Sequence, residues 1–494
     1  MSSPNISFDT IPSGLRKPGK HFEYNTKLAV RTLPTNEQSV LIIGQRTKDG
    51  TVPALTPVDV FSGDQAATFF GAGSLAHIAA EAAIKANRYV TLSVIALDDD
   101  KAAQPAKATV EFSGTATTPG AFALFIGRQR VNVAVNAGDT AVQVAQRFST
   151  QIAQLPKLPI TAEAVEVKTP AKVEGQEHPA PAPVPVNKLT LTAKNKGAAG
   201  NGIVLSQLSQ VSGITAKITA FAGGLNDPDI APALAAVFGA KYNLYATCWP
   251  TEASLTKLRT HLDSISHAME QRPAVGVAGT PDTLAVSTTL AGALNAGRIT
   301  LGWHCGSVSL PAEIAAAYAA TIASETDPAR PLNTLPLEGL DVTPVTAHQG
   351  RTEQENALHN GVTPFEIGPG NTVQIVRAIM TYTKDAQGMD DPSLLDITTI
   401  RSLDFARKAW LQRVSLRFPR EKLVAKKTPA KVRSELLDVA YKLEELEILQ
   451  NVDEHKDQLI CELDGQSVGQ LNAALPAHVV AGLHVIAGRI DLIL

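Results

Sequence analysis

The stretch 192–203, TAKNKGAAGNGI, has the composition of a phosphate-binding loop, with small residues beside Lys194 and Lys196. A Walker loop needs Gly, four residues and then Gly-Lys-Ser/Thr opening a helix, so that the helix N-terminus faces the phosphate. Here Gly200-Asn201-Gly202 is followed by IVLSQLSQV, which alternates like a strand. The pattern predicts a turn between two strands, with glycine supplying a positive φ. The alternative hypothesis is a nucleotide-binding α/β enzyme that uses this loop.

Two further groups of residues could carry chemistry. His304 and Cys305 are adjacent, but neighbours in a strand point to opposite faces and cannot act as a base and its nucleophile, so we expect them in the core. Glu355 and His359 lie one helical turn apart near His348, yet no zinc-protease motif or third ligand accompanies them. These three residues are interpreted as a solvated helix end.

The acidic pair Asp390-Asp391 precedes Pro392, where we expect acids at a helix start to complement the helix dipole. No Gly-x-Ser-x-Gly elbow and no pair of carboxylates with catalytic spacing stands out. The sequence therefore predicts no catalytic residues, no cofactor and no metal.

Composition narrows the class of protein. The 494 residues are 18% charged and 44% hydrophobic with a net charge of −3, which is typical of a soluble globular protein of several domains. Aromatic residues, at 5%, are too scarce to predict base stacking, and no apolar run predicts a signal peptide or a membrane span. The three dispersed cysteines fit a reducing cytoplasm.

Charge is segregated near the C-terminus. Residues 401–433 hold eleven Lys or Arg against two Asp or Glu, whereas residues 434–464 hold ten Asp or Glu against two Lys. The basic stretch begins on a helix whose apolar stripe predicts that Arg407 and Arg413 are exposed. In the next helix, from Thr428, the apolar residues up to Leu446 are predicted to face inward. The basic helix suits electrostatic docking of an acidic partner or self-association; nucleic-acid binding is a further alternative, although no reader motif is present.

Periodicity predicts a multidomain α+β and α/β architecture. Residues 1–33 read as an extended proline-rich arm, and 34–100 as a β-α-β unit. Residues 101–225 read as an inserted β-rich domain with one helix, begun by Asp139 as its cap, and with a seven-proline loop at 155–187. The remaining segments are an inserted α/β domain at 226–345, a second core segment at 346–482 and a strand-like arm at 483–494.

Both chain ends offer unpaired strand edges, which invite pairing with another chain. If the donor and acceptor edges are different surfaces, the contact is heterologous and its repetition builds a ring or an open helix. The residues alone therefore predict a polymerising structural protein.

Several ordered motifs resemble those of contractile phage tail sheath proteins, in particular the Mu-like sheath family. The stretch 351–423 contains NGV, RAIMTY, GMDD and RFPREKL in the order that this family has them. The opening ISFDTIPSGLRKPGKHFEYN, the strand VLIIGQ, GSLAHIAAEAAIKAN, and GDTAVQVAQRF with NKGAAGNGI are also similar. The likeness spans nearly the whole chain and is weakest in the proline-rich segment 155–187.

The resemblance implies a virion tail protein, assembled in the bacterial host cytoplasm, that forms stacked hexameric rings around a tail tube. Contraction of the sheath would drive the tube through the host envelope for genome delivery. The implied partners are further copies of the chain, the tail tube protein, and the baseplate and tail terminator proteins, with no nucleic acid and no membrane insertion. The related alternatives are the sheath of a tail-like bacteriocin and that of a secretion system.

The resemblance also implies two sets of contact residues. The core, made of 34–100 and the C-terminal segment, would face the tube, and the inserted domains would face outward. The tube-contact candidates are Arg401, Arg407, Lys408 and Arg413. The arm residues expected to pair with neighbouring subunits are Ile6, Phe8, Ile11, Phe22, Val485, Ile490 and Leu492.

Overall fold

The fold is described from a computed structural model for residues 17, 19, 20, 22, 33–166, 184–425 and 427–493. The arm candidates Ile6, Phe8 and Ile11 and most of the proline-rich segment lie outside the described residues. The chain divides into two compact units, one of Asn36–Phe405 with Val479–Leu494 and one of Met1–Thr35 with Ala406–His478.

The helices and strands alternate along most of the chain. The first part contains β1 (Ser39–Gln45), β2 (Val58–Asp59), α1 (Gly63–Phe70), α2 (Leu75–Ala86) and β3 (Thr91–Leu97). The next part contains β4 (Lys107–Gly114), β5 (Gly120–Ile126), β6 (Gln129–Val135), α3 (Ala141–Ala153), β7 (Ile160–Glu166), β8 (Val184–Ala193), β9 (Leu205–Ser209) and β10 (Ile214–Ala222).

The C-terminal half continues the alternation and then becomes helical. Its first part contains α4 (Ala231–Ala236), β11 (Leu244–Thr247), α5 (Glu252–Ser266), β12 (Val275–Thr280), α6 (Leu284–Leu294), β13 (Ile299–Trp303) and α7 (Pro311–Ser324). Its last part contains α8 (Arg351–His359), β14 (Thr363–Gly368), β15 (Thr372–Ile375), α9 (Ile397–Arg417), α10 (Thr428–Glu445), α11 (Val452–His455), β16 (Ile460–Leu463) and β17 (Leu471–Ala474).

Within the described residues, eight strands form the central sheet in the order β15-β14-β13-β12-β11-β1-β3-β2. The six inner strands run parallel, and both edge strands are antiparallel to their neighbours. The alanine-rich helices α2 and α7 pack together beside it. A Cβ on Gly44 would lie 2.8 Å from the Cα of Ala76, so glycine is what lets β1 approach α2 this closely.

This sheet corrects the predicted division at residue 226. β11 pairs directly with β1, with Leu244 opposite Val40, so the segments 34–100 and 226–345 share one sheet. β14 and β15, from the segment predicted as the second part of the core, extend the same sheet. Local periodicity does not show which strands pair when they lie so far apart in the sequence. It does show which segments are helices and which are strands, and the predicted mixed α/β class is confirmed.

The β-rich region folds as two small sheets, β10-β4-β8-β7 and β6-β5-β9, and α3 packs against both of them. Phe112, Phe122 and Phe148 meet in its core with ring centroids 5.6–5.8 Å apart. β7 falls inside the segment predicted as a loop, where ITAEAVE alternates like a strand despite the surrounding prolines.

The predicted helix starts are wrong in two places. The N-cap of α3 is Thr140, in a capping box with Gln143, while Asp139 pairs with Arg147 instead. α9 begins at Ile397, several residues later than expected, and Asp391 accepts a hydrogen bond from the Tyr382 hydroxyl at 2.7 Å. The acids stabilise the loop before the helix rather than the helix dipole.

The smaller unit contains the α9–α10 helix pair, α11 and the β16–β17 hairpin. The inward-facing residues of α10 are buried as predicted from Val432 to Leu443, but Leu446 is half exposed because the helix ends there. No helix in the described part of the chain is long and apolar enough to cross a membrane. The same residues contain no cluster of potential metal ligands.

Candidate functional site

The small-residue loop at 192–203 fastens the β-rich region to the central sheet. The Lys194 ammonium donates to the carbonyl of Ala72 at 2.9 Å and to that of Pro156. The Asn195 amide accepts from the backbone N–H of Leu75 and donates to the carbonyl of Arg46, both at 2.9 Å. Lys194, which would approach the phosphate in the alternative hypothesis of a nucleotide-binding enzyme, thus donates to backbone carbonyls instead.

A short 3₁₀ turn, Ala198–Gly202, completes this loop in place of a helix. Gly197 has φ +128°, and a Cβ there would lie 2.5 Å from Oδ1 of Asp227, so this position requires glycine. Asp227 in turn accepts from the backbone N–H of Ala199 at 2.9 Å. The interpretation as a structural turn agrees with this geometry, and the positive φ belongs to Gly197 rather than to the Gly-Asn-Gly that follows.

His304 is buried and Cys305 is half-buried, as expected of residues at the end of a core strand. His304 Nε2 lies 2.7 Å from the carbonyl oxygen of Asp341. The Asp341 carboxylate accepts from the hydroxyls of Ser307 and Ser309 and from two backbone N–H groups. Although burial opposes it, this hydrogen bonding holds the pKa of Asp341 below its usual value. The carboxylate therefore organises the loop after β13.

The polar residues predicted to form a solvated helix end lie at the surface, on α8 and just before it. Glu355 and His359 are both exposed on α8, and His348 Nε2 lies 3.1 Å from the carbonyl oxygen of Thr343. Their arrangement fits a solvated helix end.

Arg401 and Arg413, two of the four tube-contact candidates, are buried within their own units. Arg401 is 7% exposed, and one of its amino groups donates to the carbonyl of Glu325. Burial lowers the pKa of Arg401 to about 10. Arg413, predicted to be exposed, is only 4% exposed and pairs through Nη1 with Glu435 at 3.0 Å and Asp438 at 2.6 Å.

The segregated charges on α9 and α10 therefore meet inside the chain. Arg417 on the last turn of α9 also approaches Glu435, with Nε 3.6 Å from the carboxylate. Trp410 adds a neutral contact, because its indole N–H donates to the carbonyl of Leu436 at 3.1 Å. Sequence reasoning missed this pairing, although the change of sign between residues 401–433 and 434–464 was its visible signal.

The other two candidates remain accessible. Arg407 is half-buried, and Lys408 is exposed with its ammonium donating to the carbonyl of Thr35 at 2.7 Å. Of the four tube-contact candidates, Arg407 and Lys408 are thus the two whose side chains reach the surface.

The C-terminal arm is anchored at one point and extended beyond it. His484 lies with Nδ1 2.9 Å from the side-chain nitrogen of Asn333 and with Nε2 3.5 Å from the Asp396 carboxylate. Past this anchor, residues 485–493 form no helix or strand within the described chain. Five large apolar side chains are exposed there by 79–98%: Val485, Ile486, Ile490, Leu492 and Ile493.

The structure thus leaves the predicted arm strand without a partner. Of the N-terminal candidates, Phe22 is the one described, and it is 91% exposed. A strand needs a neighbouring edge for its backbone hydrogen bonds, and no strand of the described residues pairs with residues 485–493. Exposed apolar segments of this length mark sites of protein–protein contact.

A possible acceptor edge lies in the smaller unit. Within the described residues, β16 and β17 pair only with each other, from Ile460 opposite Ala474 to Leu463 opposite Leu471. One side of the hairpin packs against α10 through β16. Isolated two-stranded sheets are marginally stable, and both outer edges of this one can accept another strand.

Comparison with known proteins identifies two matching domains. A family model described as the phage tail sheath protein central domain matches residues 223–381, and one described as the phage tail sheath C-terminal domain matches residues 389–493. The Mu-like prophage FluMu tail sheath protein of Haemophilus influenzae is 30% identical over 509 residues, covering 99% of this chain and 100% of that protein.

The solved structures to which the chain is similar are more distant in sequence. A sheath tail protein of Desulfitobacterium hafniense gives a TM-score of 0.46 at 15% identity, covering 91% of this chain and 92% of that one. The sheath of an extracellular contractile injection system in its contracted state gives 0.47 at 9% identity, covering 97% and 98%. The match to the Haemophilus protein, which runs through both chains, carries the assignment.

Proposed function

Because the chain belongs to the Mu-like family of contractile phage tail sheath proteins, we propose that it polymerises as a helical sheath around a tail tube and contracts to drive the tube through the host envelope. The family is one of structural proteins, and we assign this chain no catalytic role. Its proposed partners are further copies of itself, the tube, the baseplate and the tail terminator. Its proposed place is the virion tail, assembled in the host cytoplasm.

The observation that carries polymerisation is the exposed C-terminal arm. In an extended chain Ile486, Ile490 and Leu492 share one face, whereas the opposite face carries Arg489 and Asp491 between Val485 and Ile493. We propose that the arm of one subunit adds to the β16–β17 edge of the next. Strand addition supplies main-chain hydrogen bonds, and the alternating apolar side chains set the register.

Donor and acceptor edges in this arrangement are different surfaces of the same chain. Such a contact is heterologous, so repeating it yields rings or an open helix rather than a closed dimer. An extended arm also lets subunits shift relative to one another without breaking the strand pairing. The sheath can then contract by repacking its rigid units into a more stable lattice.

The arm proposal is tested by two double variants on opposite faces of the same strand. Ile490→Asp with Leu492→Asp places charges on the face that would be buried, and should leave folded subunits that do not polymerise. Arg489→Ser with Asp491→Ser alters the other face and should polymerise like the unchanged protein. Sedimentation and negative-stain electron microscopy report the outcome, and normal polymers from the first variant would refute the arm contact.

We further propose that the exposed part of α9 around Arg407 and Lys408 contacts an acidic surface of the tube. Solvent-exposed ion pairs are worth about 0–1 kcal/mol each, which suits a contact that must release during contraction. Arg407→Glu with Lys408→Glu should reduce sheath formation around co-expressed tubes while leaving the fold and arm-driven polymerisation intact. Arg420→Glu, another exposed basic position, serves as the matched control. Full decoration of tubes by the double variant would exclude this helix as the contact.

A further inference from the structure

A cavity of about 470 Å³ lies where the β-rich region meets the helices of the central sheet. Its walls come from α2, from the β5–β6 turn, from residues 155–159 and from the start of α7. Cavities of this size accommodate small organic ligands. Neither the proposed strand addition by the C-terminal arm nor the proposed tube contact involves the residues that line this cavity.

The wall of the cavity is largely aliphatic. Ile78 on α2, Ile126 at the end of β5, Ile203 after the 3₁₀ turn and Leu310 before α7 all line it. Leu310 and Ile126 are buried, so the apolar surface lies inside rather than at the rim. Such a surface favours a hydrocarbon chain, because its burial removes apolar area from water.

Most of the charges around the cavity are already neutralised. The Glu81 carboxylate pairs with Lys85 at 2.9 Å, and Lys157 pairs with Asp64 at 2.6 Å. Glu313 accepts from the backbone N–H of Leu310 at 2.8 Å, and burial raises the pKa of its carboxyl group. Glu81 therefore has a cationic partner, and burial favours the neutral form of the Glu313 carboxyl group over its charged form.

Arg128 is the exception among these charged residues. It is exposed in the β5–β6 turn that lines the cavity, and it forms no ion pair with a described carboxylate, although its charge acts from farther away on the carboxyl group of Glu313. A guanidinium binds a carboxylate through two parallel hydrogen bonds, which makes it the strongest available anchor for an anionic head.

We propose that this cavity binds an aliphatic monocarboxylate, with its head paired to Arg128 and its chain on the aliphatic wall. The ligand would contact the β5–β6 turn on one side and α2 and α7 on the other. Its occupancy would therefore link the β-rich region to the central sheet and stabilise their junction. This inference is independent of the proposed sheath function.

Binding is tested by titrating the full chain with decanoate, below its micelle concentration, in a calorimeter and in thermal unfolding. We expect saturable binding at one site per chain and a rise in the unfolding temperature. Decylamine, which has the same chain with a cationic head, should show neither effect. Absence of saturable decanoate binding, or equal binding of decylamine, would overturn the proposal.

Three variants locate the site. Arg128→Gln should weaken decanoate binding at least tenfold, and Ile78→Trp, which fills the cavity, should abolish it. Arg130→Gln, an exposed arginine on the neighbouring strand whose guanidinium donates to Asn132, should leave binding unchanged. Circular dichroism confirms that each variant is folded. Unchanged affinity in Arg128→Gln would contradict the site even if Ile78→Trp proved unstable.

Discussion

His261 shows how the core constrains a titratable residue. It is 8% exposed on α5, and its ring packs edge-on against Tyr245 and Phe238 with centroids 5.4 and 5.9 Å away. Burial, with a smaller contribution from the Arg272 guanidinium, lowers the pKa of His261 to about 4. The folded protein therefore keeps this imidazole neutral at pH values where the unfolded chain protonates it.

The lowered pKa of His261 makes the folded protein less stable at acidic pH. The imidazole of His261 has an ordinary pKa of about 6.5 in the unfolded chain, and below that pH the unfolded chain binds a proton that the folded chain does not. The contribution of neutral His261 to the free energy of unfolding is therefore complete above about pH 6.5 and is lost as the pH falls toward about 4. His261→Phe should remove this contribution, so the wild type should lose about 1–2 kcal/mol more than the variant between pH 7 and 5. Urea unfolding at both pH values measures the difference, and parallel losses would contradict the assignment.

Residue-scale prediction from sequence succeeded where a single local rule applied. The turn at 192–203 and the buried position of His304 followed from strand alternation and from glycine patterns. The exposure of Arg413 was predicted wrongly, because the apolar stripe of α9 says nothing about carboxylates on the next helix. Burial of an arginine depends on partners that only the tertiary fold brings together.

At the scale of elements, α9 and α10 are held together by that same buried arginine. Glu435 and Asp438 lie one turn apart on α10 and both face Arg413. Removing one partner of a buried charged group is strongly destabilising, since the remaining charges lose their compensation.

Arg413→Met should therefore destabilise the helix pair by about 2–4 kcal/mol, a little below the range for fully buried pairs because the two carboxylates keep some contact with water. Trp410, at the contact between the two helices, is a local fluorescence probe of this unit. Arg420→Met, on the exposed stretch after α9, should change stability little. Equal unfolding midpoints for Arg413→Met and the wild type would show that the ion pairs contribute nothing.

Most elements could be predicted because their periodicity is strong. β1, α2 and β3 lie in the segment 34–100 that was predicted as a β-α-β unit, and β11–β13 with α5 and α7 lie in the segment 226–345 that was predicted to alternate helices and strands. β7 was missed because prolines on both sides of it suggested a loop, although its own residues alternate. α9 starts late because Asp391 and Tyr382 fix the preceding loop, a tertiary contact that no capping rule contains.

At the scale of the whole molecule, the central sheet gathers strands from three segments that the sequence suggested were separate. β1 pairs with β3 on one side and β11 on the other, so the β-rich region is inserted in the sequence between β3 and β11, two strands of one sheet that flank β1. Strand order depends on long-range pairing, which composition and periodicity do not encode. The β-rich character of the insertion, by contrast, was evident from its alternating segments.

The exposed C-terminal arm is the feature of the whole molecule that favours assembly. A chain that keeps five large apolar side chains in water beside a single anchor at His484 is incomplete without a neighbour. Membership of the sheath family and this exposed segment together lead to one expectation, which is assembly of many identical copies around a tube.

The most direct test is negative-stain electron microscopy of the full chain, purified alone and after co-expression with a tail tube protein. We expect striated hollow tubes or rings in the first case, or striated sheaths enclosing a central tube in the second. Small monodisperse particles in both preparations would contradict it.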